Sequence, residues 1–393
     1  MARIRLSAGV LIVFLLAWAT VASAQNVSTS PEGLTFHGFI DATAFLQNQN
    51  VTFGNGQNAE FPNPPQTHSN RWFLDGDVRN TRLTLGFNGP KLDNGIKLNA
   101  TLEGDFFGGF NGTGGFSNAQ EIPRLRLAFI DLVRNHTTIR IGQGWAPLFG
   151  TVASSYSHIA FPLGYGAAGD IGWRFPGIWL IQDVNPNMKV TVALLRNTWN
   201  APQDVTNSQS AGQASRIPQV EGRVDFNGKS GTTTWNSYVV GHVDRKNLNG
   251  AGAATTNNLT GWAVEAGGKV NVGPALFQGN IYDGKAVGQQ FGSLAQFGDI
   301  KSIGAWVQAG YNVNKNWSAY IFAGGEKPKK GDVIAAKQTR VKNLQVAPSL
   351  MYNNGPYGFN VEWVHDRLTT AAASGAETNT NGDQLAISAI FKF

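Results

Sequence analysis

The sequence predicts an all-β protein: a transmembrane, antiparallel up-and-down β-barrel of about 16 strands with an inward-folded third extracellular loop. Three observations predict it. They are a terminal strand ending on an aromatic residue, a two-residue alternation of polar and apolar side chains, and connections that switch regularly between long and short.

The terminal segment, Gln384 to Phe393, reads QLAISAIFKF, with Leu385, Ile387, Ala389, Phe391 and Phe393 on one side and Ala386, Ser388, Ile390 and Lys392 on the other. This is a strand with one face in oil. A barrel in lipid must end on a full strand, because an unpaired edge cannot be hydrated there. The terminal aromatic resembles the ending of bacterial outer-membrane barrels. A buried edge strand of a soluble sandwich is the alternative.

The N-terminal segment fits secretion. Arg3 and Arg5 precede an apolar run from Ala8 to Ala19, and Ala22-Ser23-Ala24 forms a small-x-small cleavage site before Gln25. Residues 1–24 are therefore expected to be a signal peptide and residues 25–393 the barrel domain. The apolar core is too short for a stable membrane helix, and no other stretch approaches the roughly 20 apolar residues that a helical span needs. There is no cysteine, so disulfides and thiolate metal sites are excluded. Glycine is 48 of 393 residues and charged residues only 14%, low for a surface that meets water but natural for one that meets lipid. Without the signal peptide, 29 basic residues stand against 25 acidic ones, a net charge of +4 that is too small and scattered to argue for nucleic acid.

In chain order, strands are expected to begin near Leu34, Val78, Ile96, Arg124, Thr138, Ile171, Met188, Pro218, Thr233, Gly261, Ala275, Ser302, Trp317, Val341, Tyr357 and Gln384. The segment from Ile96 shows the period. Ile96, Leu98, Ala100, Leu102 and Gly104 alternate with Lys97, Asn99, Thr101, Glu103 and Asp105. A helix would scatter these charges round its circumference, whereas a strand puts them on one face. Val220, Gly222, Val224 and Phe226 alternate likewise with Glu221, Arg223 and Asp225, and Trp262, Val264, Ala266 and Val270 with Glu265 and Lys269.

Seven connections are short: Gly89 to Gly95, Arg134 to Thr137, Asn185 to Asn187, Asn227 to Gly231, Gly273-Pro274, Asn312 to Asn316 and Asn353 to Pro356. Eight are long: Gln47 to Gly76, Gly108 to Ile122, Trp145 to Asp170, Asn197 to Ile217, Asp244 to Thr260, Asp283 to Lys301, Glu326 to Thr339 and Leu368 to Asp383. Strict alternation of this kind is the signature of an up-and-down membrane barrel with both termini on the periplasmic side. Trp262, Tyr311, Trp317, Tyr352, Trp363, Phe391 and Phe393 lie near expected strand ends, where interfacial aromatic girdles belong. The third long connection, after Trp145, carries Phe149, Tyr156, Ile159, Phe161, Leu163 and Tyr165 and almost no charge. Water would not tolerate so much apolar surface, so this loop is expected to fold inward and narrow the pore; a loop covering a subunit contact is the alternative.

Motifs for chemistry are absent or broken. Gly54, Gly56 and Ala59 match a dinucleotide fingerprint in spacing, but Pro62, Pro64 and Pro65 forbid the helix it needs. Gly228-Lys229-Ser230 resembles the end of a phosphate-binding loop, yet Gly222 is wrongly spaced and a strand follows. No serine stands in a nucleophile elbow, and the six histidines show no paired metal spacing, so no cofactor or metal is expected.

What remains is charge on the inner wall. If the turn near Leu92 sets the register, Arg82 faces Glu103; if the next loop is centred between Gly114 and Gly115, Glu103 faces Arg126 and Asp105 faces Arg124. All five side chains then point the same way. Arg140, Arg174, Arg196 and Arg223 extend the basic stripe, and the candidate constriction is Arg82, Glu103, Asp105, Arg124, Arg126 and Arg140. The alternative is that such charges merely hydrate a bore.

The stretches TRLTLGFNGP, IKLNATLEGDFFGG, PRLRLAFI and RIGQGWAPLF resemble the N-terminal half of 16-stranded outer-membrane porins, particularly the DcaP-like trimeric porins. The shared features are an Arg-containing strand, a Glu-x-Asp-Phe-Phe strand, an Arg-Leu-Arg strand and a Gly-Gln before the inward loop. The likeness covers about Arg79 to Phe149; beyond it, only strand rhythm and the terminal phenylalanine contribute. It implies a constriction in which Arg82, Arg124 and Arg126 favour small anionic solutes. The chain departs from some members in lacking a helical coiled-coil extension, since Asn26 to Gly33 is a short linker.

The expected protein is thus a bacterial outer-membrane porin, a homotrimer surrounded by outer-membrane lipids, passing small hydrophilic solutes with a modest preference for anions such as carboxylates or phosphate. It is not expected to be an enzyme. Two rivals stay open: a barrel-embedded enzyme, marked by Ser or Asp with His at the lipid boundary, and a structural or adhesive barrel with a closed lumen.

Overall fold

In a computed structural model of the protein, the structure describes residues 33–48, 61–62, 72–108, 122–158, 167–198, 210–248 and 258–393. The expected signal peptide (1–24) and the glycine match at Gly54, Gly56 and Ala59 lie outside these residues. The strands are β1 (Leu34–Gln47), β2 (Phe73–Asp77), β3 (Arg82–Lys91), β4 (Lys97–Asp105), β5 (Arg124–Arg134), β6 (Thr137–Trp145), β7 (Arg174–Asn185), β8 (Met188–Leu195) and β9 (Gln219–Ser230). They continue with β10 (Thr233–Asn247), β11 (Asn258–Val272), β12 (Ala275–Lys285), β13 (Lys301–Asn312), β14 (Trp317–Pro328), β15 (Arg340–Asn354), β16 (Tyr357–Ala371) and β17 (Glu377–Lys392). Among the described residues, three short helices sit in long connections: α1 (Ala211–Ala214), α2 (Gly288–Phe291) and α3 (Lys330–Ala335).

All the strands form one antiparallel sheet in sequence order, closed by β1 against β17 from Phe39↔Lys392 to Gln47↔Gln384. Both β2 and β3 pair with β1, at Thr43–Gln47 and Leu34–Phe39 respectively, so they are two halves of one stave and the barrel has 16. At the break, the Asp41 amide donates to Thr81 Oγ1 at 3.1 Å, which satisfies a group the interrupted ladder would leave unpaired. Pairing closes right to the terminus. The Gly38 amide donates to the Phe393 carbonyl at 3.0 Å, and the Phe393 amide donates back at 3.1 Å.

The two faces are inverted relative to a water-soluble protein. Outward side chains such as Leu83, Leu102, Leu125, Ile130, Val239, Phe277 and Ile387 are exposed, while Glu221, Glu265, Gln308, Asn343, Glu362 and Ser388 are buried inside. Only a lipid exterior makes that arrangement favourable. Near the short turns an aromatic chain runs through Trp317 and Tyr352 (5.0 Å between centroids), Tyr357 and Phe391 (5.1 Å), Phe391 and Phe393 (6.3 Å) and Phe393 and Phe36 (5.4 Å). Trp262 and Trp363 stand further inside their strands than expected.

Two strand starts move by more than three residues. The second stave begins at Phe73 instead of Val78, and the last strand begins at Glu377 instead of Gln384. The expected long connection Leu368 to Asp383 is therefore replaced by residues 372–376, a tight connection in which the Ala372 amide donates to Ala376 O at 2.8 Å. The cause lies in ETNTNGD. Its polar residues continue the ladder above the membrane, Thr369↔Asn379 and Arg367↔Asn381, so polarity marked the end of the apolar band and not the end of the strand.

Since Phe393 closes the sheet and packs on Phe36, replacing Phe393 with aspartate is expected to impair assembly. The heat-modifiable folded form on cold versus boiled electrophoresis should fall several-fold relative to the parent, and parity would contradict the role of this residue.

Candidate functional site

The strands β3, β4 and β5 place five charged side chains on one patch of the inner wall. Arg124 donates to Asp105 through Nε at 2.9 Å and Nη2 at 2.6 Å, the paired geometry that a guanidinium and a carboxylate form best. Arg126 bridges the two acids, with Nη1 to Asp105 Oδ2 at 2.8 Å and Nε to Glu103 Oε1 at 2.7 Å. Arg82 Nε stands 3.8 Å from Glu103 Oε1, and Thr84 Oγ1 donates to Glu103 Oε2 at 3.3 Å.

The local backbone explains the grouping. Asp105 is opposite Arg124 as expected, but Glu103 is opposite Leu127 and not Arg126, because the register shifts between Glu103 and Gly104. Arg126 is the extra residue of a β-bulge; the two-residue period already puts it on the side of Arg124, and the bulge moves Leu127 into the place opposite Glu103. Likewise Glu103 pairs with Thr84, so Arg82 reaches it diagonally instead of facing it. Both expected contacts form with different partners directly across the ladder.

Access to water differs within the patch. The side chains of Arg82 and Arg124 are 20% and 19% exposed, whereas Arg126 and Asp105 are 2% and 1% exposed. The outer two arginines thus face the lumen and the inner pair holds them. Aromatic rings flank the patch: Arg82 lies 5.2 Å from the Phe39 centroid, Arg124 5.8 Å from Trp173 and Arg126 5.7 Å from Trp145.

The remaining arginines separate. Arg140 is not part of the cluster: it pairs with Asp131 through two 2.8 Å hydrogen bonds and lies 3.6 Å from the Phe129 centroid. Arg174 joins the cluster, buried between Trp145 and Trp173 at 4.5 and 4.4 Å from their centroids. Arg223 pairs with Asp225 at 2.7 Å and donates to the carbonyl of Pro147 at 2.9 Å, while Arg196 is exposed beyond the end of β8. Arg79 with Asp77, 2.6 Å apart and buried, is a pair the sequence reading missed, as was Asp131. Asp131 was legible in principle, since it stands one short turn from Arg140 with matching parity.

The described residues of the connection after β6 run along the polar side of the opposite wall. The Leu148 amide donates to Glu221 Oε2 at 2.7 Å, the Ser154 amide to Gln308 Oε1 at 2.7 Å, and Ser155 Oγ to Glu362 Oε1 at 3.1 Å. His158 contacts Glu362 through Nδ1 and Gln384 Oε1 through Nε2 at 2.8 Å, and Ser157 Oγ is 2.8 Å from Ser388 Oγ. The wall carboxylates here meet backbone amides and hydroxyls of the chain itself.

A second connection enters beside it. Phe291 of α2 is buried against Phe175 (5.7 Å) and edge-on to His242 (4.9 Å), its carbonyl accepts from the Gly172 amide at 2.9 Å, and Glu326 accepts from Ser293 Oγ at 2.5 Å and the Leu294 amide at 2.9 Å. No motif in the sequence singled out this connection; Val287, Phe291, Leu294, Phe297 and Ile300 are scattered singly among its small and polar residues. Inward side chains on β10, β13 and β15 to β17 are consequently almost all buried, while Arg82, Glu103, Arg124, Asp131 and Arg140 keep partial access to water.

No family model matches the chain, and no curated protein matches it in sequence. Solved structures do match. The outer membrane channel DcaP of Acinetobacter baumannii aligns with a TM-score of 0.70 at 18% identity, covering 94% of this chain and 100% of that one. An anion-selective porin from Comamonas acidovorans gives 0.61 at 14% identity over 92% and 99% of the chains. OmpT, an outer membrane protein of Vibrio cholerae, gives 0.55 at 13% over 94% and 100%.

Breaking the inner pair tests the patch. Asp105→Ala leaves two arginines without their shared carboxylate, one of them buried, and is expected to cost about 3–5 kcal/mol. Asp183→Ala, which removes a half-exposed partner of Lys189, should cost under about 1 kcal/mol. Unfolding in urea, followed by loss of the heat-modifiable form, should rank the two in that order. The measured likeness is one of architecture, and the chain has the 16-stranded barrel fold of outer-membrane porins.

Proposed function

We propose that the protein is an outer-membrane porin, a water-filled channel through which small hydrophilic solutes diffuse passively, with a modest preference for anions such as carboxylates or phosphate. The observation that carries this reading is the partial exposure of Arg82 and Arg124 on the stretch of inner wall that the two inward connections leave accessible. A solute crossing the barrel passes these guanidinium groups. They offer paired donors that match carboxylate or phosphate oxygens.

Charge sets the sign and the size of the preference. Arg82, Arg124 and Arg126 stand against Glu103 and Asp105, and Arg174 adds a further positive charge behind them. Low-dielectric walls focus this field onto the bore. One or two excess charges within a Debye length of about 8 Å produce a bias and not a strict filter. Arg140 adds little, being neutralised by Asp131.

The connection after β6 narrows the bore in this reading, and the channel requires no cofactor, catalyses no reaction and binds no nucleic acid. The protein is exported through the signal peptide at 1–24 and inserts among outer-membrane lipids with both termini periplasmic. A homotrimer is the assembly proposed, in keeping with the trimer form in which the Vibrio cholerae OmpT has been solved.

Reversing the two accessible arginines is the test. The double variant Arg82→Glu with Arg124→Glu should shift the zero-current potential in a potassium chloride gradient toward cation preference. A parent that is already clearly cation-selective, or a variant that leaves this potential unmoved, contradicts the proposal.

A further inference from the structure

We propose that the outer face of β12 to β16 binds a phosphorylated glycolipid of the lipid A type, its phosphates on Lys301, Lys327, Lys342 and Arg367 and an acyl chain in an apolar groove below Lys301. Such a site requires the insertion proposed above, with the long connections outside. Each of the four cations points outward, because the residues on either side of it in the chain are buried.

The register sets them side by side. Lys327 is opposite Ile303, two residues from Lys301. Leu344 is opposite Gly325 on one side and Arg367 on the other, and Lys327 and Lys342 each stand two residues beyond the Gly325 and Leu344 pair. Adjacent strands lie about 4.8 Å apart, so the row runs about 15 Å across β13 to β16 at the loop end of the apolar band. Lys301 is held by Asp283 at 3.1 Å, whereas among the described residues Lys327, Lys342 and Arg367 have no acidic partner. Cations set next to each other across a ladder destabilise it, and phosphates between them reverse the sign. The guanidinium of Arg367 adds paired donors that match phosphate oxygens.

A groove in the lipid-facing wall begins below Lys301. Gly268, Gly279 and Ala305 leave it open between Trp235, Phe277 and Val307, and its volume is about 720 Å³. Ala305 is four residues, about 13 Å, from Lys301 along β13, so an acyl chain laid in the groove brings its headgroup to the row. The two rims of the barrel also differ. At the short-turn ends of the same strands the outward side chains are Phe277, Tyr311, Trp317, Tyr352 and Tyr357, with no cation in the strands there. Lysines and arginines that only carried their charge from the apolar band to water would serve either rim equally. Their restriction to the loop rim fits an anionic lipid confined to the outer leaflet.

The experiment is native mass spectrometry of refolded, detergent-solubilised protein, free of lipopolysaccharide, titrated with diphosphoryl lipid A. The parent should retain this lipid saturably, and should hold the same lipid without its phosphates at least about tenfold more weakly. Lys327→Gln with Arg367→Gln should lose at least about tenfold in affinity. Ala305→Phe, which fills the groove and leaves the charges, should lose at least about threefold. Lys229→Gln with Lys315→Gln, exposed at the short-turn rim, should match the parent. Each variant is first verified as folded by heat modifiability. The site is overturned by a parent that binds no lipid A saturably or binds the phosphate-free lipid equally well, by unaltered affinity in either of the first two variants, or by an equal loss in the short-turn variant. Current steps in a planar bilayer from the same preparation would leave the channel standing in each of those cases, so the two readings fail separately.

Discussion

Every backbone amide and carbonyl in a lipid environment must find its partner within the protein, and this constraint fixes the rest of the structure. It demands a sheet without edges, so β1 meets β17 and the Phe393 backbone pairs with Gly38. It also governs the one interruption in the wall. Where the second stave breaks between β2 and β3, Thr81 supplies through its hydroxyl the acceptor that the ladder no longer provides to Asp41. The outside can then be leucine, isoleucine and phenylalanine, and all polar chemistry is forced inside.

That interior presents two regimes. Along β9 to β17, acids and amides are buried beneath the connections after β6 and β12, where Glu221, Glu326 and Glu362 accept hydrogen bonds from backbone amides, hydroxyls and His158. Each such carboxylate anchors the loop that covers it, so removing water from it is compensated. Along β3 to β6 the charges satisfy one another. Asp105 and Arg126 form the buried base of a lattice whose outer members, Arg82 and Arg124, remain in reach of solvent. The same residue types therefore serve as loop anchors on one side and as a charged surface on the other, and the difference is what covers them.

Much of this was legible in the sequence. A two-residue period cannot be mistaken for a helix when Lys97, Glu103 and Asp105 share its face, and turn residues fixed most strand starts within three residues. The members of the cluster were legible because strand parity alone decides which side chains share a wall. Their cross-strand register was legible only for Asp105 and Arg124. The bulge at Arg126 adds one residue to one strand, which no turn-counting from Gly114-Gly115 reveals; the offset of Glu103 onto Thr84 comes from a turn centred nearer Asn94 than Leu92, combined with an irregularity between Asn88 and Lys91. The last connection was misjudged because ETNTNGD is polar on both faces, and above the membrane a strand needs no apolar face. The second inward connection was illegible for a different reason: Phe291 is buried by neighbours distant in sequence, Phe175 and His242, and nothing local announces them.

The central claim is that a continuous aqueous path survives beside the arginine-bearing wall despite the loops packed on the opposite side. Reconstitution of the purified, heat-modifiable protein into a planar lipid bilayer tests it most directly. The account predicts discrete current steps whose size grows in proportion to the bulk conductivity of the electrolyte, as water-filled bores require. Inserted protein that gives no steps, or steps that saturate at low salt as in a dehydrated filter, would contradict it.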